Sequence, residues 1–176
     1  MFAREILVIG LLTAAILLWA RSSKLDLGLR APTLSGVWPW ILLFILWCGL
    51  VTSVDAVHPR KVDEELLEWI RQHSFIQIIV LAVVLLPLFE ELLFRGALFS
   101  ALFRAWGLKV AIVVPSVIWA LAHLQYEAWY MVSIAGSGVV LTMIRWKSGS
   151  LYPPLALHAA FNLFVALTED LGPPAA

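Results

Sequence analysis

An apolar run from Phe75 to Phe103 is interrupted by three ionisable residues, all in the stretch Phe89-Glu90-Glu91-Leu92-Leu93-Phe94-Arg95. Any fold of this chain has to house them. At mid-bilayer one charge costs roughly 2.5–3.5 kcal/mol on insertion scales, so charges this close together require compensation. Glu91 and Arg95 are four apart and share a helix face, with the carboxylate N-terminal to the cation, the more favourable order. Glu90 is rotated about 100° from Glu91 and has no cation at helical spacing. Its partner is therefore expected on another helix.

Composition explains why the motif sits in hydrocarbon. Of the 176 residues 62% are hydrophobic and 14% charged, with a mean hydropathy of +0.93, whereas soluble domains carry about 25% charged residues. This predicts an all-α, polytopic membrane bundle of about six transmembrane helices plus an interfacial amphipathic helix, located in the cell membrane. The spans are expected near 6–19, 37–54, 75–104, 110–123, 128–144 and 151–167. A signal peptide competes for the first, but no small-x-small cleavage site follows Ala20, which favours a retained span. All of 1–176 reads as one membrane domain, with N-terminal spans and the amphipathic helix in 1–74 and a catalytic core in 75–168.

After Pro59, the charged stretch from Lys61 to Arg71 carries Val62, Leu66, Trp69 and Ile70 at helical spacing, the pattern of a helix lying in the interface. Glu64-Glu65 in that stretch reads as a solvated pair. Pro87, which has no N–H, is expected to kink the third span just before the charged motif and to open backbone carbonyls there. Gly107 should end that segment, Pro153-Pro154 suits the first turn of the last helix, and the Gly-Pro-Pro-Ala-Ala tail reads as frayed. Trp19, Trp38, Trp40, Trp106, Trp129 and Trp146 lie near the ends of apolar runs and suit interfacial anchoring. Zero net charge argues against a nucleic-acid partner. The single cysteine, Cys48, reads as packing.

The polar groups that could meet Glu90 are few. His123 closes the fourth span, and His158 and Asn162 lie four apart on one face of the sixth. A single histidine on an apolar helix is usually structural, but buried unpaired polar groups are costly and intramembrane ionisable groups point to function. His58 and His73 fall in the polar connection and read as surface residues. Two neighbouring carboxylates resist joint ionisation in a low-dielectric site. Arg95 should hold Glu91 ionised, leaving Glu90 for general-base work, with a histidine beside it to help orient water. Donors from His158 and Asn162 could converge on one oxygen, as an oxyanion hole requires. Base, water and two donors suffice for amide hydrolysis without a covalent intermediate.

In that order on successive spans, Glu90-Glu91-x-x-x-Arg95, aromatic-x-x-x-His123 and His158-x-x-x-Asn162 resemble the CAAX protease and bacteriocin-processing family. These are the Abi or CPBP intramembrane proteases, whose eukaryotic branch is the type II prenyl endopeptidase. The resemblance runs from about Leu81 to Phe164. It implies an intramembrane endopeptidase in which Glu90 is the general base, His123 its partner on the water, Glu91 and Arg95 the supporting pair, and His158 and Asn162 the oxyanion donors. Trp119 stands where the family pattern has Phe, which affects the wall of the pocket. The implied partners are the bilayer and a peptide or protein substrate, with or without a lipid. The N-terminal half is shorter than in the eukaryotic enzymes, so prenyl specificity does not follow.

Three other readings compete. Glu90, His123 and His158 could supply a zinc ion with three ligands and leave an open position, although the expectation is no cofactor. Ala135-Gly136-Ser137-Gly138 has part of a rhomboid-type serine motif, against which small residues in a span more often allow close helix contact. A non-catalytic scaffold, immunity protein or proton-coupled carrier would also use buried Glu and His. For orientation, Arg21, Lys24, Arg30, Arg104, Lys109, Arg145 and Lys147 fall on one face, against Arg4, Arg60, Lys61 and Arg71 on the other. The positive-inside rule puts the first face in the cytoplasm.

Overall fold

A computed structural model of the chain describes residues 1–58 and 64–168. Among these, every regular element is a helix. In chain order they are α1 Phe2–Ser22, α2 Trp38–Val57, α3 Glu64–Arg71, α4 Phe75–Ile78, α5 Leu86–Glu91, α6 Phe99–Leu121, α7 Ala128–Ser148 and α8 Tyr152–Thr168. Between α4 and α5, and between α5 and α6, the chain stays helical but widens into π-helical turns over Ile79–Leu85 and Leu92–Leu98. Pro59, Arg60, Lys61 and Val62 lie outside the described residues, as does the Gly-Pro-Pro-Ala-Ala tail.

Four continuous stretches are long and apolar enough to cross a bilayer: Phe2–Ser22, Trp38–Val57, Phe75–Leu121 and Ala128–Ser148. The third has 47 residues, about 70 Å of helix at 1.5 Å per residue, more than twice the ~30 Å hydrocarbon core. Gly107 divides it. Its φ of 77° and ψ of −175° are non-helical, a left-handed φ that an L side chain would resist. The limbs on either side stand where the sequence puts its third and fourth spans, and α8 stands where it puts the sixth. The chain is an all-helical membrane bundle.

Lipid exposure is uneven. Only 6% of the most apolar window of α1 or of α2 is buried, against half of that of α7. Leu7, Leu11, Leu18, Leu42 and Leu46 face outward, as expected where hydrocarbon is the solvent. The core gathers Val37, Phe44, Phe94, Trp119, Val140, Leu141 and Ile144. A second cluster joins Ile16 on α1 to Leu92, Ala97 and Leu151. The helix carrying Glu90 and Glu91 is thus held from several sides.

The Gly136-Ser137-Gly138 stretch is a packing surface. A Cβ at Gly136 would stand 2.5 Å from the Trp47 ring, and one at Gly138 3.0 Å from Ser116 Cβ. Trp47 Nε1 also donates to the Ser133 carbonyl at 3.1 Å. Small residues here let α2 and α6 approach α7 closely, as small-xxx-small faces do.

The reading of His73 as a surface residue is corrected. Its side chain is buried, with Nδ1 2.8 Å from the Trp69 carbonyl and Nε2 2.8 Å from Glu5 Oε2. Trp69 Nε1 donates to Glu5 Oε1 at 2.7 Å. One carboxylate on α1 thereby fastens α3 and, two residues past its end, His73. His58 is exposed, as expected.

Candidate active site

Glu91 and Arg95 form the fixed centre. Both are fully enclosed, at 0% and 1% exposure, and Arg95 Nη1 donates to Glu91 Oε1 at 2.8 Å. The second donor to that oxygen comes from α8, where His158 Nδ1 lies 3.0 Å away. A carboxylate oxygen only accepts, so Nδ1 carries its proton and the ring orientation is set, the arrangement by which a carboxylate fixes a histidine tautomer. The opposite nitrogen, Nε2, is left 3.9 Å from Glu90 Oε2.

Glu90 is the accessible carboxylate. Its side chain is 18% exposed. Its partner from another helix is Trp119 on α6, whose Nε1 donates to Oε2 at 2.7 Å. Trp119 does more than wall a pocket. Its ring lies 4.2 Å from Arg95 Cζ, a cation–π contact that strengthens when desolvated. The same ring meets His158 edge-on at 5.2 Å and His123 at 5.6 Å. A buried tryptophan needs a partner for its N–H, and that requirement was a signal that sequence reasoning passed over.

His123 sits in the turn just past the end of α6 at Leu121, rather than closing the helix itself. Its Nδ1 is 2.8 Å from the Trp119 carbonyl, one of the acceptors a helix C-terminus leaves free. The acceptor there puts a proton on Nδ1 and leaves Nε2 free to meet another group.

Asn162 is engaged with backbone. Leu86 N–H bonds to the Leu81 carbonyl, an i to i+5 pairing. Continued by one residue, that register aims the Ala82 carbonyl at the nitrogen of Pro87, which has no hydrogen. Asn162 Nδ2 donates to this orphaned carbonyl at 2.8 Å. By this register Pro87 frees the Ala82 carbonyl, and the donor it meets is Asn162. The amide has a second N–H. π-Helical turns are frequent at functional sites, and here two of them flank the acidic pair.

Glu90, Glu91, Arg95, Trp119 and His158 therefore meet in one cluster, His123 adjoins it through Trp119, and Asn162 lies one turn along α8. Glu91 Oε2 and Arg95 Nη2 are buried without a protein hydrogen-bond partner. Among the described residues, no three of His, Cys, Asp and Glu are arranged to hold a metal ion. Glu90, His123 and His158 are thus not gathered as three ligands around one point.

UPF0177 protein YxdF of Lactococcus lactis subsp. lactis (strain IL1403) is 31% identical over 81 residues, 46% of this chain and 44% of that protein. The membrane-embedded CAAX protease MroQ of Staphylococcus aureus (strain USA300) is 28% identical over 171 residues, 87% of this chain and 66% of that protein. The chain spans less than half of the first relative and just under two thirds of the second. No solved structure matches. Residues 72–164, over half of the chain and the stretch within which the cluster residues fall, match the family described as type II CAAX prenyl endopeptidase Rce1-like, and the chain belongs to that family.

Proposed function

We propose that the protein is an intramembrane endopeptidase that hydrolyses a peptide bond with a water activated by Glu90. The observation that carries this reading is the contrast between two adjacent carboxylates. Glu91 is sealed and neutralised by Arg95 and His158, whereas Glu90 is partly open, oriented by the Trp119 N–H, and faces His158 Nε2. One is built as a support and the other as a base. Family membership supports the reaction class.

In the proposed reaction Glu90 takes a proton from water, with His123 Nε2 helping to hold that water. The water oxygen attacks the scissile carbonyl carbon. The resulting oxyanion accepts hydrogen bonds from His158 and from the second N–H of Asn162. The C–N bond then breaks, and Glu90 returns the proton to the departing amine. For Nε2 to donate while Nδ1 donates to Glu91, the His158 ring must carry both protons, and the Glu91 carboxylate is the charge that supports this. The substrate class is a membrane-associated peptide or protein, with or without a lipid. Chelation should leave the activity intact, because no donor trio is preassembled.

The test compares the membrane proteome of cells carrying wild-type protein with that of cells carrying Glu90→Ala at equal abundance. Peptide termini present only with the wild type are the expected result. Identical termini in both would overturn the enzyme reading and favour a scaffold or proton-relay protein.

A further inference from the structure

A cavity of about 330 Å³ opens where the connection between α1 and α2 folds back against α6 and α7. Lys24, Arg30, Arg104 and Arg145 line it together with a single carboxylate, Asp26. Four cations from three parts of the chain thus converge on one concavity with one counter-charge.

Most of these cations are held by neutral carbonyls. Arg30 Nε donates to the Gly149 carbonyl at 2.8 Å and its Nη2 reaches Asp26 Oδ2 at 2.6 Å. Arg145 Nη2 donates to the Asp26 carbonyl at 3.0 Å, and Arg104 Nη1 to the Ser23 carbonyl at 3.1 Å. Asp26 Oδ2 also lies 3.9 Å from Arg145 Nη2, so one carboxylate is shared by two of the four cations, and since a carbonyl fixes a guanidinium without cancelling its charge a net positive field survives with its sources pre-positioned. Arg145 is 3% exposed and its Nε is buried with no partner. Orientation in the membrane needs only basic residues spread over a loop face. It does not call for a buried arginine among three others around one hollow.

A second cavity of about 380 Å³ shares Lys24, Leu25 and Asp26 with the first. Its other walls carry Leu17, Leu27 and Leu29 beside a further cation, Arg21, so the basic hollow adjoins one that sets a leucine wall next to more positive charge. We infer that this paired cavity binds an anionic phosphate group, with the phosphate of a phospholipid headgroup among the cations and the start of an acyl chain against the leucines. Basic pockets between transmembrane helices take anionic headgroups in this way. A free phosphate would leave the leucine wall of the second hollow unused, which favours a lipid as the source.

The experiment uses the full chain in non-ionic detergent, with bound lipid read by native mass spectrometry and stability by thermal unfolding. The probes are phosphatidylglycerol, phosphatidylcholine and inorganic phosphate. Lys24 and Arg104 are exposed, so Lys24→Gln/Arg104→Gln should fold normally. The wild type should retain phosphatidylglycerol in preference to phosphatidylcholine, and the double variant should bind it about 30-fold more weakly, as expected for two interfacial cations lost. Stabilisation by inorganic phosphate alone, abolished in the variant, would keep the anion site and identify a soluble phosphate as its source. Equal retention of the two lipids with no phosphate effect, or unchanged binding by the variant, would overturn the site.

Discussion

Removing Arg95 tests whether the buried ion pair is the support on which the cluster rests. In Arg95→Leu the guanidinium disappears and the Glu91 carboxylate stays enclosed, at 0% exposure, with His158 as its remaining donor. Breaking a buried pair from one side costs about 3–5 kcal/mol. Loss of the Arg95 contact with the Trp119 ring at 4.2 Å adds on the order of 1–2 kcal/mol. His158 still donates to Glu91 Oε1 and offsets part of this, so about 3 kcal/mol is the expected net loss. For a chain of this size that lowers the unfolding temperature by roughly 6–12 °C. Glu91→Leu should cost a similar amount, because it strands Arg95. The decisive measurement is the double variant Glu91→Leu/Arg95→Leu. Two apolar residues in place of a buried pair are often neutral or stabilising, so it should be more stable than either single variant. Thermal unfolding of all four proteins in one detergent gives the coupling energy. Additive single effects, within about 0.5 kcal/mol, would refute the claim that the pair holds this site together.

Other expectations follow from the same contacts. Trp119→Phe keeps the ring over Arg95 and deletes the N–H on Glu90, so kcat should fall about 10- to 100-fold, from a charge-assisted hydrogen bond of about 1.5–3 kcal/mol, with little change in KM. An unchanged kcat would show that Glu90 needs no such orientation. Gly138→Val should lower stability by about 1–3 kcal/mol through overpacking against Ser116, while Ser137→Ala should leave proteolysis unaltered. A collapse of activity in Ser137→Ala at normal stability would revive the serine mechanism. In a Cys48→Ser background, Lys147→Cys should resist membrane-impermeant thiol reagents in intact cells if the basic face is cytoplasmic. Lys147 is the position to use because Ser148 is buried.

The architecture was legible because hydrocarbon sets a coarse, length-based code. Apolar runs of span length, Gly107 between two of them and Pro153-Pro154 at the start of α8 locate the helices closely. The pairing of Glu91 with Arg95 was legible from four-residue spacing alone. Other features depend on which ladder the backbone follows. Hydrophobic periodicity does not distinguish an i to i+5 turn from an i to i+4 one inside a fully apolar run, so the π-helical segments around α5 were out of reach. His73 was misread because its burial depends on Glu5, on another helix 68 positions away, and a polar neighbourhood in sequence does not reveal a carboxylate folded over it. Trp119 was taken for a wall because its aromatic body is what periodicity registers, whereas its N–H is what meets Glu90.

Asn162 is where local structure and chemistry have to be separated. As an oxyanion donor it would act on rate, and as the partner of the Ala82 carbonyl it acts on stability. Both follow from one side chain with two N–H groups. Asn162→Ala leaves that carbonyl without its donor, at a cost of about 1–3 kcal/mol. The cause of the orphan is Pro87, so Pro87→Ala returns a backbone N–H and offers the carbonyl a partner within its own helix. In the Pro87→Ala background, the stability lost on Asn162→Ala should shrink to under about 1 kcal/mol. Turnover should behave differently. An oxyanion donor removed costs about 10²–10³ in kcat, and no repair of the Ala82 carbonyl restores it. Rescue of stability with persistent loss of rate therefore assigns both roles. Rescue of both would reduce Asn162 to a strut between α8 and the π-helical turn. A stability loss of equal size in the two backgrounds would refute the link between Pro87 and Asn162 altogether.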